Sequence, residues 1–207
     1  HHVDAALAAA RWMHEAGKPV MLDGSATRGP ISPKLRELVS LTDILICGNG
    51  FANALTNRFD FWEAGMGALG LVPNVVVQTE GRGGSSTTTS DQRFHTPAFE
   101  VEVVDTTGAG DVFHGAYAVA FLHGWNPRQA AVFSTAVAAM KCRHLGGRSG
   151  IPSFAEALQL VWFLMCFMDY DSFGRYDRYL LAPFERSRAE GMSEDEALLW
   201  LKYAAIK

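Results

Sequence analysis

The chain has 207 residues, 48% of them apolar, 11% aromatic and 19% charged, and that much apolar side chain excludes a disordered or collagen-like polymer. Its 18 Lys and Arg against 22 Asp and Glu leave a net charge of −4, without the basic excess that draws proteins to nucleic acid or anionic membranes. Cys47, Cys142 and Cys166 encode neither a disulfide framework nor a zinc knuckle, and the longest apolar run, Leu160 to Met168, is shorter than the roughly 20 residues of a membrane helix, so a reducing cytoplasm is the expected location.

In chain order, Ala5, Leu7, Ala8, Ala9, Trp12 and Met13 recur at helical spacing and stop at Gly17, after which Pro19-Val-Met-Leu-Asp23 predicts a short buried strand. Leu35, Leu38 and Val39 predict a helix over 34–40, and Asp43-Ile-Leu-Ile-Cys47 a second strand closed by Gly48-Asn-Gly50. Helices over 51–57 and 61–69 lead to a third strand, Val75-Val-Val-Gln-Thr79. Strands separated by helices imply a parallel sheet with right-handed crossovers.

After Thr79 come Gly81, Gly83, Gly84 and a Ser/Thr run from Ser85 to Ser90; the alternating stretches 94–97 and 99–103 then predict a small antiparallel excursion at the sheet edge. A strand over Val101–Val104 delivers the chain into Asp105-Thr-Thr-Gly-Ala-Gly-Asp111, followed by helices over 112–123 and 127–144, the second with Pro127 in its first turn. Gly146-Gly-Arg-Ser-Gly150 reads as a loop, and Ser153 with Glu156 as a capping box for one more helix. Beyond Val161 the chain turns aromatic from Trp162 to Tyr179, and Ser193 with Glu196 forms a second capping box. The expected organisation is one α/β domain over 1–161 and a helical appendage over 162–207.

The chemistry concentrates in the segment before residue 112. Gly108, Ala109 and Gly110 let the backbone turn tightly and gather free N–H groups at a helix start, where the dipole also favours negative charge, so the turn reads as a phosphate cradle. A carboxylate at the same place, Asp111, repels a bound anion. Its presence suggests a chemical role, in which it takes the proton of a hydroxyl that attacks a transferring phosphoryl group. The alternative is an ordinary strand-to-helix turn in which Asp111 only stabilises the dipole, an effect of ~0.3–1 kcal/mol.

Asp105-Thr-Thr-Gly-Ala-Gly-Asp-Val-Phe-His-Gly-Ala116 resembles the C-terminal signature of the ribokinase-like, or PfkB, carbohydrate kinases, and the resemblance covers about residues 3 to 160. With Ala138-Ala-Met-Lys-Cys142 and Gly146-Gly-Arg-Ser-Gly-Ile-Pro152, it looks most like the branch of sulfofructose kinase and similar ketose kinases. The resemblance implies a Rossmann-like, mostly parallel sheet with helices on both faces, ATP with Mg²⁺, and a sugar as acceptor. It places the catalytic base on Asp111 and an anion hole on the backbone of Gly108, Ala109 and Gly110. It also puts Thr79, Gly81 and Gly84 beside the nucleotide, through the Thr-x-Gly-x-x-Gly pattern of Thr79-Glu-Gly-Arg-Gly-Gly84, and Ser134, Thr135 and Ala136 on a helix flanking the adenine.

Asp105 and Thr107, with the 146–150 loop, match the position of a monovalent-cation (K⁺) site in some relatives, while an aspartate bonding its own loop amides explains the same residues. Related kinases commonly carry a glutamate of the magnesium network where this chain has Asn49, and a neutral amide attracts Mg²⁺ less than a carboxylate. The family's glycine-rich sugar-binding half and β-sheet lid are not read in the sequence, so a fold truncated on its N-terminal side is expected. His95, His114, His123 and His144 have no ligand spacing, and neither a Gly-x-x-x-x-Gly-Lys-Ser/Thr loop nor a dinucleotide Gly-x-Gly-x-x-Gly turn occurs. Two functions compete: an ATP-dependent carbohydrate kinase, and a truncated or diverged relative that only binds nucleotide or oligomerises. The resemblance leaves a homodimer open.

Overall fold

A computed structural model describes residues 2–25, 29–72, 74–158 and 161. The expected appendage over 162–207, with its Ser193 capping box, lies outside the described residues. Two compact units divide the chain, one ending at Glu100 and one beginning at Val101.

The first unit runs α1 (His2–Glu15), β1 (Met21–Gly24), α2 (Pro33–Ser40), β2 (Ile44–Gly48), α3 (Phe51–Thr56), α4 (Phe61–Leu69) and β3 (Val75–Thr79), then a 3₁₀ turn (Gly81–Gly83), β4 (Ser85–Thr89) and β5 (Arg93–Thr96). The helices start where side chains satisfy their first amides: Ser32 Oγ accepts from the Leu35 amide at 3.2 Å, with Pro33 next to it, and Asp60 accepts from the Glu63 amide at 2.8 Å. The strands lie in the order β1-β2-β3-β4-β5. The first three are parallel and the last two pairings antiparallel, so the parallel sheet read from the sequence is one half of a mixed sheet.

Alternation along the parallel strands builds the core. Leu45, Cys47 and Val76 share a fully buried cluster with Phe51, Ala52 and Leu55 of α3 and Ala64 and Ala68 of α4. Burial pushes the Cys47 thiol up to about 12, which makes it a packing residue rather than a nucleophile. Leu7, Ala10 and Leu38 close a second cluster between α1 and α2.

The Ser/Thr run departs from its reading as a change of texture. It forms β4, an interior strand in register with β3 (Val77 opposite Thr87) and with β5 (Thr87 opposite Phe94), and all five of its residues are buried. Threonine's branched side chain suits a pleated surface, and that preference outweighs its polarity. Among the described residues the buried hydroxyls of Ser85, Thr87 and Thr88 have no partner, whereas Ser86 Oγ meets His95 Nδ1 at 3.0 Å. An unsatisfied buried hydroxyl costs about 1–3 kcal/mol. Thr87→Val keeps the branch and removes the polar atom, so urea unfolding should show a gain of about 1 kcal/mol in stability.

In the second unit, α5 (Ala109–Leu122) and α6 (Pro127–Lys141) pack against each other. The strand expected over Val101–Val104, and the excursion over 99–103, are irregular chain instead. The amides of Val104 and Asp105 donate to the Cys142 carbonyl at 2.8 and 3.1 Å rather than to a strand ladder, and Val103 and Val104 face solvent. Helix α5 begins three residues before its apolar pattern does, which draws Gly110 and Asp111 into its first turn. Helix α6 opens on an Asn126–Gln129 capping box and stops at Lys141, short of His144. The Ser153–Glu156 box forms as expected, with each partner accepting from the other's amide.

Candidate active site at the head of helix α5

Gly108 caps α5 in the left-handed region, φ 74°. A Cβ there would lie 2.9 Å from the Gly147 carbonyl oxygen, so the absence of a side chain lets the 146–150 loop close onto the helix start. Two further ties hold the approach to the helix. Both oxygens of the Asp105 carboxylate accept main-chain amides, Thr107 at 2.8 Å and Gly146 at 2.7 Å. The ammonium of Lys141, at the buried end of α6, donates to the Asp105 carbonyl at 2.8 Å.

These amides hold the Asp105 carboxyl down at about 2. Because the folded value lies below the ordinary 3.8, its stabilisation is complete above that value and is lost as pH falls through about 2. Thermal melts between pH 5 and 2 should therefore show an acid-side loss in the native protein that an Asp105→Asn variant lacks. The second of the two sequence readings, an aspartate clipping its own loop, describes this geometry.

Helix dipole and free donors converge just beyond. Among the described residues the amides of Gly108, Gly110 and Asp111 have no hydrogen-bond partner, while that of Ala109 donates to the Thr106 carbonyl at 3.1 Å. Of the expected anion-hole amides, that of Ala109 is thus already bonded, and the Asp111 amide stands unbonded beside the other two. The Asp111 side chain is exposed and lines a cleft of about 570 Å³, together with Thr107, Gly108 and Arg148. Val112, Ala116 and Phe133 give the cleft an apolar wall, which Phe154 extends by packing on Phe133 at 5.3 Å between ring centroids.

Thr135 is the candidate expected on the adenine side. It is buried in α6, and its hydroxyl donates to the Ala131 carbonyl at 2.7 Å, as Ser134 does to Ala130. Ala136 is buried as well. The remaining nucleotide-side candidates lie in the first unit, at the carboxyl ends of neighbouring parallel strands, where open α/β sheets place their ligands. Asn49 is an exposed turn residue just after β2, and Thr79 ends β3 with its hydroxyl donating to the Cys47 carbonyl at 3.3 Å. Gly81 and Gly84 shape the tight connection from β3 to β4.

Among the described residues no three His, Cys, Asp or Glu side chains could hold a metal ion. Sequence reasoning did not single out Lys141 or Arg148. A cation at a helix C-terminus passes for dipole stabilisation, and the available signal for Arg148 was its place between glycines.

The whole of this second-unit geometry falls in or beside a segment that matches a family model: residues 3–153 match the pfkB family carbohydrate kinases. The chain belongs to that family. Among curated relatives of this pfkB-family chain, the ribokinase of Bacillus subtilis (strain 168) is 29% identical over 151 residues, 73% of this chain and 49% of its own. Solved structures agree. Arabidopsis thaliana ribokinase complexed with ribose and ATP superposes with a TM-score of 0.68 at 26% identity, over 77% of this chain and 52% of that one. An E. coli chain assigned as ribokinase II, in complex with ATP and Mg²⁺, gives 0.70 at 25% identity, over 78% and 54%. The chain thus spans about half the length of the ribokinases it matches. Among the described residues no helix is long and apolar enough to cross a membrane.

Proposed function

We propose that this chain is the nucleotide-handling part of an ATP-dependent carbohydrate kinase that moves a γ-phosphoryl group to a sugar hydroxyl. One observation carries the reading: three amides without a partner among the described residues and an exposed carboxylate share the head of one helix, at the edge of a cleft. The Gly108, Gly110 and Asp111 amides, fixed before the ligand arrives, hold the charge that grows on the transferring group without having to reorganise. Asp111 receives the proton of the attacking hydroxyl late in the transfer, when the alcohol has become acidic. The loop clamped by Asp105 and Gly108 keeps donors and base in one geometry, which is most of what phosphoryl transfer asks of a protein. Mg²⁺, when bound with the nucleotide, neutralises phosphate charge. The acceptor is a ketose or related sugar, a choice that rests on the resemblance through Val103 to Ala116, Ala138 to Cys142 and Gly146 to Pro152.

Calorimetry with ATP and Mg²⁺, followed by an ADP-release assay over ketoses and pentoses including ribose, tests the reading. Saturable ATP binding and ADP release with at least one sugar are expected; a folded protein that binds no ATP overturns it. Asn49, standing where related kinases commonly carry a glutamate, favours a second reading, a module that holds nucleotide or oligomerises without turnover. Binding with no ADP release from any sugar would establish the module in place of the kinase.

A further inference from the structure

The cleft that carries Asp111 also carries Arg148, and the two are not paired. Both side chains are exposed, and neither forms an ion pair with any described residue. Opposite charges on the walls of one cleft that stay beyond pairing distance leave room for a charged group between them. The loop that holds Arg148 is fixed on both sides: Gly146 donates to Asp105 Oδ2 at 2.7 Å, Ile151 donates to the Arg148 carbonyl at 3.3 Å, and Gly147 sits against Gly108 at the helix cap. The Arg148 main chain is thus held one residue from the contact that closes the loop onto the free amides of α5.

We propose that Arg148 is a ligand of the terminal phosphoryl group of the nucleotide, a role that rests on the kinase reading above. The chemistry needs such a charge. A triphosphate brought to the amides also approaches the Asp111 carboxylate, whose repulsion the neutral amides offset only in part. A guanidinium always carries its charge and presents parallel donors that match two phosphate oxygens at once. It draws the terminal phosphoryl group to the mouth of the cleft and offsets the base's charge on the opposite side. Arg148 touches only the nucleotide and takes no part in the proton transfer.

Calorimetry on the full chain with ATP and with ADP tests this, using Arg148→Gln and Arg148→Lys. The glutamine variant should bind ATP about 10- to 100-fold more weakly, with a clearly smaller loss for ADP, and the lysine variant should recover part of the ATP affinity because it keeps the charge without the fork. Added NaCl should weaken ATP binding more in the native protein than in Arg148→Gln. Native-like ATP binding by Arg148→Gln overturns the assignment while leaving the kinase reading intact. Equal losses for ATP and ADP also overturn it, because they mark a loop disturbed as a whole. A native protein that binds neither nucleotide overturns the kinase reading and this role with it.

Discussion

The Asp111→Asn protein is expected to turn over about 10²–10⁴ times more slowly than the native chain, the span that a positioned general base supplies, while its ATP affinity stays the same or rises slightly. The substitution is nearly isosteric and sits in the exposed first turn of α5. Losing an acid from a helix N-terminus costs only ~0.3–1 kcal/mol of stability, so the melting temperature should barely move. Removing a negative charge that faces the incoming phosphates relieves repulsion, which is why binding should not suffer. ADP release with the best acceptor sugar, calorimetry with ATP and a thermal melt separate these effects. Undiminished turnover in Asp111→Asn would remove the base assignment and leave the carboxylate as a helix-dipole residue. A large loss of ATP affinity would mean that the carboxylate acts mainly by holding Mg²⁺.

How much of this was legible in the sequence depended on how local the governing physics is. The parallel strands Ile44–Gly48 and Val75–Thr79 announce themselves as apolar runs between turn residues, and the Ser153–Glu156 box is written within four residues. The strand Ser85–Thr89 was hidden, because its alternation lies between polar residues on both faces and only its β-branched threonines pointed to a strand. Val101–Val104 erred in the other direction. Its valines read as a strand, yet among the described residues no strand pairs with them, and the Cys142 carbonyl takes the amides of Val104 and Asp105.

The site divides in the same way. Gly108 and Asp111 were legible because a short motif fixes them relative to the helix they open. The bonding of the Ala109 amide and the burial of the Thr135 hydroxyl were not, since each depends on a hydrogen bond to a carbonyl whose position the motif does not encode. Lys141 reaches Asp105 across 36 positions in sequence, and no spacing rule joins them.

Gly84 gives the clearest separation between a ligand role and a structural one. The sequence places it beside the nucleotide; the structure gives it φ 92° and ψ −139°, a region that essentially only glycine occupies. A Cβ at this position would lie 2.1 Å from the Thr96 carbonyl oxygen, 2.8 Å from the Ala98 nitrogen and 2.9 Å from the Pro97 carbonyl carbon. All three are main-chain atoms of the segment that ends β5, so the neighbour cannot yield by changing a rotamer. Strain and displaced backbone together should cost Gly84→Ala about 3–5 kcal/mol of stability. Gly81 provides the control: it too has a positive φ, 58°, but nothing lies within 4 Å of its added Cβ, so Gly81→Ala should cost about 1–2 kcal/mol. Denaturant unfolding of the two variants decides between the roles. A Gly84→Ala protein that unfolds like Gly81→Ala and loses only ATP affinity would return Gly84 to the nucleotide. A large loss of stability at 84 and a small one at 81 would show that β5, packed against the turn, requires glycine at that position.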